Sequence, residues 1–257
     1  MSKTLLMIHG VGCGGDVWDR MKRDFAMAGW TCEATTLYPE LRTKDNPPAA
    51  LADLTLPDYF DAATKTANEI AERDGEKPVV IGHSMGGIIA QSLAARSVVR
   101  GAIFLTPAAP KGCSVTDLRA LRTFWNIVKV GRKNIPGGVF KVGPKGFSYG
   151  VLNAVDKARH EEIYADALFD SGRVYDDLLN PPDIDEAQIS IPTLTIGAKK
   201  DRATVIKSVR KIGAKYAKAS TPGDYFEYSN HAHWIVDEPG TEQVSADILE
   251  WLDQKLA

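Results

Sequence analysis

One serine occupies a spacing that can make it a nucleophile. Residues 79–88 read Val-Val-Ile-Gly-His-Ser-Met-Gly-Gly-Ile, which places Ser84 between Gly82 and Gly86 in a Gly-x-Ser-x-Gly pattern. An apolar run precedes the pattern and a helical pattern follows it, and a serine in this context lies on a sharp strand-to-helix turn. The N–H groups at the start of the helix then face the point where negative charge would develop. The pattern therefore predicts that Ser84 is displayed as a nucleophile.

A serine needs a neighbouring base to become a nucleophile, and five histidines could supply one. His83 is adjacent to the serine on the turn and is expected to point away from it. His9 ends the first apolar run, where a role in shaping the turn is expected, and His160 lies in a charged stretch typical of an exposed helix face. His231 and His233 both follow the last apolar run, in a loop of the kind that carries working residues in an open α/β sheet. The residue pattern leaves the choice between these two open.

The base in turn needs a carboxylate that orients it. Asp201 is the first acidic residue after the apolar run Thr193–Ile196. The acidic residues before this run lie at the opposite end of the predicted strand: Asp183, Asp185 and Glu186. Ser84, Asp201 and a later histidine follow the chain order expected of a Ser-Asp-His triad on this kind of fold. The competing interpretation pairs Asp201 with a neighbouring lysine or arginine.

A second glycine cluster competes for a functional interpretation. Gly10, Gly12 and Gly15 match the Gly-x-Gly-x-x-Gly fingerprint of dinucleotide-binding proteins, and Glu33 lies roughly where a ribose-binding acid would be. This spacing would make the chain an NAD(P)-binding oxidoreductase. However, Glu33 lies inside the second apolar run rather than at its end, and the three triad candidates would then have no role. The other hypothesis is that the loop provides a backbone N–H group to an oxyanion.

The elements that must position these residues alternate between short apolar runs and helical patterns. This alternation predicts parallel strands joined by crossover helices. The predicted strands are Thr4–Ile8, Thr31–Leu37, Pro78–Ile81, Ala102–Leu105, Thr193–Ile196 and Tyr225–Tyr228. The predicted helices are Asp16–Ala28, Asp58–Asp74, Met85–Ala95 and Val244–Lys255.

The long stretch between the fourth and fifth predicted strands shows no strand pattern. Its helical patterns are Val115–Val130, Tyr149–Leu168 and Arg173–Leu179. Because so long a loop without secondary structure is improbable in a compact domain, we expect an inserted helical cap over about residues 108–190. Four of its aromatic residues could belong to the core of the cap or line the substrate pocket: Phe124, Trp125, Phe140 and Phe147.

Charge is divided unevenly along the predicted cap. Arg119–Lys145 contains seven basic residues and no acidic one, whereas Asp156–Glu186 contains ten acidic and three basic residues. Charge runs of this kind are usually solvated helix faces, or two halves that pair with each other. A partner is not required to explain them.

Composition excludes several classes of protein. The chain has 257 residues, of which 44% are hydrophobic and 25% charged, and its net charge of −2 gives no support to nucleic-acid binding. No apolar run is long enough to span a membrane, and the apolar N-terminal stretch is too short for a signal peptide. The cysteines show no CxxC spacing, which argues against a zinc site or a disulfide framework: Cys13, Cys32 and Cys113. We therefore expect a single cytoplasmic domain over residues 1–257, with no nucleic-acid or membrane partner and no metal.

Taken together, these motifs resemble the α/β-hydrolase superfamily along the whole chain except the insertion. The opening segment from Leu6 to Trp18 is similar to the His-Gly loop of the plant-type methylesterase and hydroxynitrile lyase branch and of related bacterial esterases. The segment from Ile191 to Asp201 is similar to the strand and acid of the family. His233-Trp234 followed by Glu238-Pro239 is similar to the sequence after the family's catalytic histidine. This context favours His233 over His231.

The resemblance implies an α/β-hydrolase fold and a serine esterase that acts through an acyl-enzyme on small or medium carboxylic esters. It implies Ser84 as nucleophile, His233 as base and Asp201 as orienting acid. The backbone N–H groups of Val11 and Met85 would form the oxyanion hole. No cofactor is implied, and the partner is the small-molecule ester itself. Lactonases, thioesterases and amidases use the same residues.

Two departures narrow the expected chemistry. A hydroxynitrile lyase of this branch would have threonine where Gly10 lies and lysine where Trp234 lies. A dehalogenase would have aspartate in place of Ser84. The sequence therefore favours hydrolysis over cyanohydrin cleavage or dehalogenation.

Overall fold

Within residues 3–256, which a computed structural model describes, six of the eight strands form one parallel sheet. In chain order the strands are β1 (Thr4–Ile8), β2 (Thr31–Thr35), β3 (Val79–His83), β4 (Gly101–Leu105), β5 (Val139–Phe140), β6 (Asp170–Ser171), β7 (Thr193–Ala198) and β8 (Asp224–Tyr228). The sheet has the order β2-β1-β3-β4-β7-β8, and every neighbouring pair is parallel. The prediction of about six mostly parallel strands is confirmed.

The inner strands form because their residues can be buried on both faces. β1, β3, β4 and β7 are buried along their whole length and consist largely of apolar or small residues, as is typical of parallel strands covered on both sides. The edge strands β2 and β8 are only partly buried. The bounds of β1 are those predicted, and the ends of the other five strands of the sheet differ from the predicted ones by at most two residues. For example, β3 extends to His83, and β2 ends at Thr35 rather than Leu37.

Helices cover both faces of the sheet. Within the described range they are α1 (Asp19–Met27), α2 (Leu56–Asp74), α3 (Met85–Ala95), α4 (Leu118–Thr123), α5 (Trp125–Val128), α6 (Pro144–Gly146), α7 (His160–Ala165), α8 (Gly172–Leu179), α9 (Ile206–Tyr216) and α10 (Thr241–Leu256). Short 3-10 helices cover Gly15–Trp18, Ala49–Asp53, Arg132–Asn134, Lys157–Arg159 and Glu186–Gln188, and a π-helix covers Phe147–Val151. Over the same residues, each helix is too short or too polar to cross a membrane.

At the start of α2, a capping residue before Pro57 sets the first residue of the helix. The helix begins at Leu56, two residues before the predicted start, and Pro57 occupies its first turn. Thr55 and Asp58 form a capping box, in which each side chain satisfies a backbone N–H that the helix leaves unpaired. Proline is tolerated in the first turn because its missing N–H would have no partner there.

A helix between the last two strands of the sheet was not among the predicted elements. This helix, α9, covers Ile206–Tyr216 and contains Gly213, a poor helix former that interrupts the helical pattern. A Cβ atom on Gly213 would lie 2.6 Å from Cδ2 of Tyr225 on β8. The glycine therefore lets the helix pack directly against the edge of the sheet, an arrangement that only the tertiary structure reveals.

The insertion, defined here as residues 106–192 between β4 and β7, is mainly helical and contains α4–α8. The prediction that it has no strand is wrong, because β5 and β6 form a small antiparallel pair. Each has only two residues, which is too short to show an alternating pattern. The predicted helix over Tyr149–Leu168 is also broken, since only His160–Ala165 is α-helical there. Arg132–Asp176, at 3.9 Å, is the one described ion pair that joins the basic and acidic halves.

Alternate residues of the strands contribute to two hydrophobic cores. One core packs β1 residues such as Leu5 and Met7 against α1, α10 and the insertion. The other packs Leu6 and Ile8 against α2, α3 and α9. The sheet is thus held from both sides, which leaves the loops at the carboxyl ends of its strands to carry the candidate site.

Candidate active site

A sharp turn between β3 and α3 presents Ser84. The residue has φ 56° and ψ −116°, a backbone conformation that non-glycine residues rarely adopt and that stores strain at functional sites. A Cβ on Gly82 would lie 1.9 Å from the carbonyl oxygen of Gly86, and a Cβ on Gly86 would lie 2.0 Å from the carbonyl oxygen of Ile8. Only glycine fits at these two positions, so the spacing in the sequence reflects a steric requirement of the turn.

A chain of hydrogen bonds joins the serine to a histidine and a carboxylate. His233 Nε2 lies 3.0 Å from Ser84 Oγ, and His233 Nδ1 lies 2.8 Å from Asp201 Oδ2. The imidazole and the carboxylate are almost completely buried. With Nδ1–H donating to Asp201, Nε2 is left as the acceptor for the serine proton. The structure thus brings together the three residues that the sequence singled out.

The Asp201 carboxylate is held by the loop that follows β7. Its Oδ1 accepts the backbone N–H groups of Ala203 and Thr204, and its Oδ2 accepts the hydroxyl of Thr204 at 2.8 Å. Thr204 was not singled out by sequence reasoning, although a threonine three residues after the acid is a local signal that could have suggested it. These bonds orient the carboxylate toward His233 rather than toward the neighbouring lysines.

The other histidine of the pair lies elsewhere. His231 Nδ1 is 2.8 Å from Glu238 Oε1, and the same oxygen accepts the N–H of Ala232. His231 and Glu238 are both buried, so this pair braces the loop that carries His233. In the sequence analysis, Glu238 is only part of the segment that resembles the family, and no partner is predicted for it. The geometry places His233, and not His231, beside Ser84.

His83 supports the loop that carries His233. Its Nε2–H donates to the backbone carbonyl of His233 at 2.8 Å, and the two rings lie 4.9 Å apart. Burial, with a smaller contribution from His233, lowers the pKa of His83 to about 3. The side chain makes no hydrogen bond to Ser84, as the prediction that it points away requires.

The remaining two histidines have different surroundings. His9 donates from Nδ1 to the carbonyl of Gly10 and accepts the N–H of Leu37 at Nε2, so it shapes the turn after β1 as expected. Burial, followed by the charge of Arg42, holds the pKa of His9 well below its usual value. His160 is half-buried and its ring nitrogens contact Ser148 Oγ and the Val155 carbonyl, so the expectation of an exposed face is wrong.

The turn after β1 lies directly against the serine. It is closed by a bond from the N–H of Cys13 to the carbonyl of Gly10, and Gly12 has a φ of +72°. A Cβ on Gly10 would lie only 3.0 Å from Cβ of Ser84. Within the described chain the N–H groups of Val11 and Met85 donate to no other residue. These two donors are therefore available to an oxygen atom bound near Ser84.

The same turn is poorly suited to a dinucleotide. A pyrophosphate would need free backbone N–H groups from the glycine cluster. Instead, the N–H of Gly12 donates to Asp170, that of Cys13 to Gly10, and that of Gly15 to Thr36 Oγ1 at 2.9 Å. Glu33, the proposed ribose ligand, forms an ion pair with Arg73. The geometry does not fit the oxidoreductase hypothesis.

An apolar cleft of about 270 Å³ opens beside Ser84. The described residues that line it come from the turn after β1, from Ser84 and the start of α3, from the loop after β4, from α4, α5 and α8, and from the loop that leads from β7 into α9. They include Val11, Met85, Pro107, Ala108, Leu121, Phe124, Val128, Leu178, Leu179 and Val205. Asp117 is the only charged residue among them, and its bonds to Arg119 lower its pKa to about 2. The cleft is thus suited to an uncharged apolar group.

The aromatic residues of the insertion divide between the two roles left open. Phe124 lines the cleft. Phe140 packs against Tyr175, whereas Phe147 packs against Trp234 and also lines a small cavity beside Ser84 and His233. Trp125 is 60% exposed. In the described part of the chain, no three His, Cys, Asp or Glu side chains are grouped so that they could hold a metal ion.

A family model described as alpha/beta hydrolase matches residues 5–246. No curated protein matches this chain. Its sequence similarity is therefore to the family as a whole and not to an individual curated protein.

Solved structures with the same fold include several enzymes. A monoacylglycerol lipase from Paleococcus ferrophilus is 20% identical, with 99% of this chain and 96% of that chain covered and a TM-score of 0.70. A methylesterase from Arabidopsis is 15% identical, with 97% and 98% covered and a TM-score of 0.70. Tomato methylketone synthase I, in complex with 2-tridecanone, is 16% identical, with 99% of both chains covered and a TM-score of 0.71. At these identities the likeness concerns the fold alone.

Proposed function

Because this chain belongs to the alpha/beta hydrolase family, we propose that it hydrolyses carboxylic esters through an acyl-enzyme on Ser84. The observation that carries the proposal is the hydrogen-bonded chain from Ser84 through His233 to Asp201. Nucleophile, base and orienting acid are in contact distance, as acyl transfer by a serine requires.

In the proposed reaction, Ser84 Oγ attacks the ester carbonyl carbon while its proton passes to Nε2 of His233. The carbonyl oxygen becomes an oxyanion and accepts the N–H groups of Val11 and Met85. Collapse of this intermediate breaks the bond to the alkoxy oxygen, which takes the proton from His233 and leaves as the alcohol. Water then attacks the acyl-enzyme in the same way, releasing the carboxylic acid and restoring Ser84. Asp201 holds the imidazole in the required tautomer and stabilises the imidazolium.

The apolar cleft supports esters whose bulk is uncharged. Its single charged lining residue, Asp117, is neutralised by Arg119, so a charged substrate group in the cleft would lose water without gaining a partner. The insertion provides much of this lining through α4, α5 and α8, and we propose that it acts as a cap over the substrate. The proposed partner is therefore a small, mainly apolar ester, and no cofactor takes part in the reaction.

Covalent labelling tests the proposal directly. A fluorophosphonate is expected to modify one serine per chain, and mass spectrometry of the digested protein is expected to find the adduct on Ser84. Ser114, which also lines the cleft, provides a matched control, since Ser114→Ala should label fully and Ser84→Ala not at all. Labelling that persists in Ser84→Ala would overturn the assignment of the nucleophile.

A substrate panel then tests the bond that is cleaved. We expect turnover of p-nitrophenyl esters to rise with acyl chain length until the cleft is filled and then to fall. A thioester, a lactone and an amide of the same acyl group complete the panel. Faster turnover of one of these than of the ester would replace ester hydrolysis with that activity.

We also propose that the protein works in the reducing cytoplasm. All three cysteines are free thiols, as expected where disulfides do not form: Cys13, Cys32 and Cys113. Detection of the protein in fractionated cells tests this placement, and recovery outside the cytoplasmic fraction would contradict it.

A further inference from the structure

An ion pair is buried behind the turn that carries Val11. Arg42 Nε lies 2.5 Å from Asp170 Oδ1, and Arg42 Nη2 lies 2.9 Å from Asp170 Oδ2. Both side chains are inaccessible to solvent. Burying two charges has a large desolvation cost, and replacing a buried pair with well-packed apolar residues is often neutral or stabilising. Stability alone is therefore a poor explanation for this pair.

The pair is bonded directly to the backbone of the turn. Asp170 Oδ2 accepts the N–H of Gly12, and Arg42 Nη2 donates to the carbonyl of Cys13 at 2.9 Å. The carbonyl of Gly12 accepts the N–H of Leu168 at 2.9 Å. The peptide groups on either side of Gly12 are thus anchored on residues that are far away in the sequence.

The remaining partners of the pair complete a closed network. Asp170 Oδ1 also accepts the hydroxyl of Tyr59 at 2.8 Å. Arg42 Nη1 contacts His9 Nε2 at 3.1 Å and the carbonyl of Leu37 at 3.3 Å. Each carboxylate oxygen of Asp170 therefore has two donors, one from Arg42 and one from another element. This arrangement leaves the carboxylate with a single orientation.

The turn needs such an anchor because of its own composition. Gly12 has a φ of +72°, and only the Leu168 carbonyl lies within 4 Å of the place where a Cβ would be. Because glycine has the least restricted backbone of all residue types, the peptide groups around Gly12 can rotate unless they are held. The N–H of Val11 is the one donor of the turn residues 11–13 that has no partner in the described chain. If the Gly12 peptide rotated, this free N–H would lose its direction.

We propose that Arg42 and Asp170 are positioning residues that hold the turn so that the N–H of Val11 faces the oxyanion. The inference rests on the proposed function, in which that N–H stabilises negative charge. Asp170 belongs to the insertion and Arg42 to the loop after β2, so the donor is aligned only when the insertion is seated on the sheet. The insertion is thereby part of the oxyanion hole as well as the roof of the cleft.

The experiment compares variants of the pair with a control ion pair. Asp170→Asn keeps the shape but removes the charge, and Arg42→Lys keeps the charge but lacks the planar guanidinium that bonds to both oxygens of Asp170 and to the Cys13 carbonyl. The double variant Arg42→Met/Asp170→Leu replaces both charges, so that neither is left buried alone. Arg173→Gln is the control, since Arg173 and Asp53 form an exposed ion pair, 3.7 Å apart, between the insertion and the 3-10 helix Ala49–Asp53.

Five quantities are measured on each variant: the rate of Ser84 labelling by a fluorophosphonate, kcat and KM for a p-nitrophenyl ester, the affinity for a boronic acid, and the melting temperature. The boronic acid forms a tetrahedral adduct with the serine. Loss of an oxyanion donor typically lowers kcat by about 10²–10³-fold, so we expect misalignment to lower kcat and the labelling rate by about 10- to 100-fold. KM should change by less than about 3-fold, whereas affinity for the boronic acid should fall in parallel with kcat/KM.

The outcomes separate this inference from the proposed function. If wild-type protein is labelled on Ser84 and the folded pair variants match it in kcat and labelling rate, the positioning role is wrong while the esterase proposal stands. If wild-type Ser84 is not labelled at all, the proposed function itself fails. A structural role alone would lower the melting temperature and leave kcat per folded molecule unchanged. If Asp170→Asn does not fold, kcat and the labelling rate of Arg42→Lys and of the double variant decide whether the pair has the positioning role.

Discussion

At the scale of single residues, the site depends on which atoms are left free as well as on those that are bonded. Asp201 receives donors on both oxygens, and His233 bridges it to Ser84. The surrounding buried histidine, His83, is kept neutral by its environment and bonds to backbone. In the turn between β3 and α3, the proposed nucleophile Ser84 is the residue that has a base, His233, within hydrogen-bond distance.

Replacing the nucleophile tests this assignment most directly. We expect Ser84→Ala to lower kcat by about 10⁴–10⁶-fold, the usual effect of removing a triad nucleophile. The melting temperature should hardly change, because the Ser84 side chain is small, lines the cleft and has its hydrogen bond only to His233. Ester hydrolysis and thermal unfolding are the measurements. Retention of more than about a tenth of the activity would exclude Ser84 as the nucleophile.

The two histidines of the last loop should respond differently to alanine. His233→Ala is expected to lower kcat by about 10⁴-fold or more, because the proton of the serine would have no acceptor. His231→Ala should keep kcat within about 10-fold of wild type and lose about 1–3 kcal/mol of stability, because Glu238 is left buried without its partner. Kinetics and urea unfolding distinguish the two, and the opposite pattern would make His231 the base.

Acid should destabilise the protein through its buried neutral histidines. The pKa of His83 is about 3 in the folded protein against 6.5 when unperturbed, so between these values the unfolded chain binds a proton that the folded chain does not. The free energy of unfolding therefore falls as the pH drops from about 6.5 toward 3, by up to about 1.4 kcal/mol per pH unit for this group. His9, whose pKa is also lowered, acts in the same direction.

Urea unfolding of wild type and His83→Gln between pH 7 and pH 4.5 measures this contribution. The variant should start less stable at pH 7 and lose less stability on acidification. Parallel curves for the two proteins would show that His83 does not supply the pH dependence.

At the scale of elements, the site is built from backbone contacts that permit no side chain. The turn between β3 and α3 passes so close to β1 that a Cβ on Gly86 would lie 2.0 Å from the carbonyl oxygen of Ile8. This contact couples the position of Ser84 to the strand that ends in the proposed oxyanion turn. The two halves of the site are therefore set by one packing arrangement.

A glycine substitution tests how strict that arrangement is. Gly86→Ala is expected to destabilise the protein by more than about 3 kcal/mol, because the clash is with backbone that cannot move independently. Gly112→Ala is the control, since Gly112 has a φ of +84° but nothing within 4 Å of its missing Cβ. It should cost only about 1 kcal/mol of conformational strain. Equal losses of stability would show that steric contact is not the reason for glycine at position 86.

At the scale of the whole molecule, the insertion gives the cleft an apolar lining and also carries a segment rich in positive charge. Arg119–Lys145 holds seven basic and no acidic residues, and exposed members such as Lys129 and Lys133 form no ion pair with other described residues. The net charge of the chain is only −2, so the local field of this segment is not set by the molecule as a whole. Field effects of this kind act on the rate of encounter rather than on binding in the cleft.

We therefore expect kcat/KM for an ester with an anionic leaving group to fall as salt is raised from about 10 mM to 150 mM, where the Debye length shortens from about 30 Å to 8 Å. A neutral ester should show a smaller response. Lys129→Gln/Lys133→Gln should reduce the salt response, and Lys65→Gln, on α2, should not. An identical salt dependence for both esters would mean that the basic segment is simply a solvated surface.

The features that could be predicted from local sequence are those that depend on short-range sterics and on the hydrophobic pattern. The sharp turn at Ser84 needs glycines at fixed positions, and β1 needs a continuous apolar run, so both are visible in a few consecutive residues. Asp201 could be chosen because the carboxyl ends of parallel strands meet at one edge of the sheet. The prediction for the cap located the insertion but missed β5 and β6, whose two-residue strands have no periodicity.

Only the tertiary structure decided the choices that depend on distant contacts. Whether His231 or His233 reaches Ser84 depends on where Glu238 folds back, and residue spacing alone left that choice open. The buried pair of Arg42 and Asp170 joins residues 128 positions apart, and in the sequence each is an ordinary charged residue. Such a pair has no local pattern because its physical cause, the meeting of the insertion and the sheet around one turn, exists only once the chain has folded.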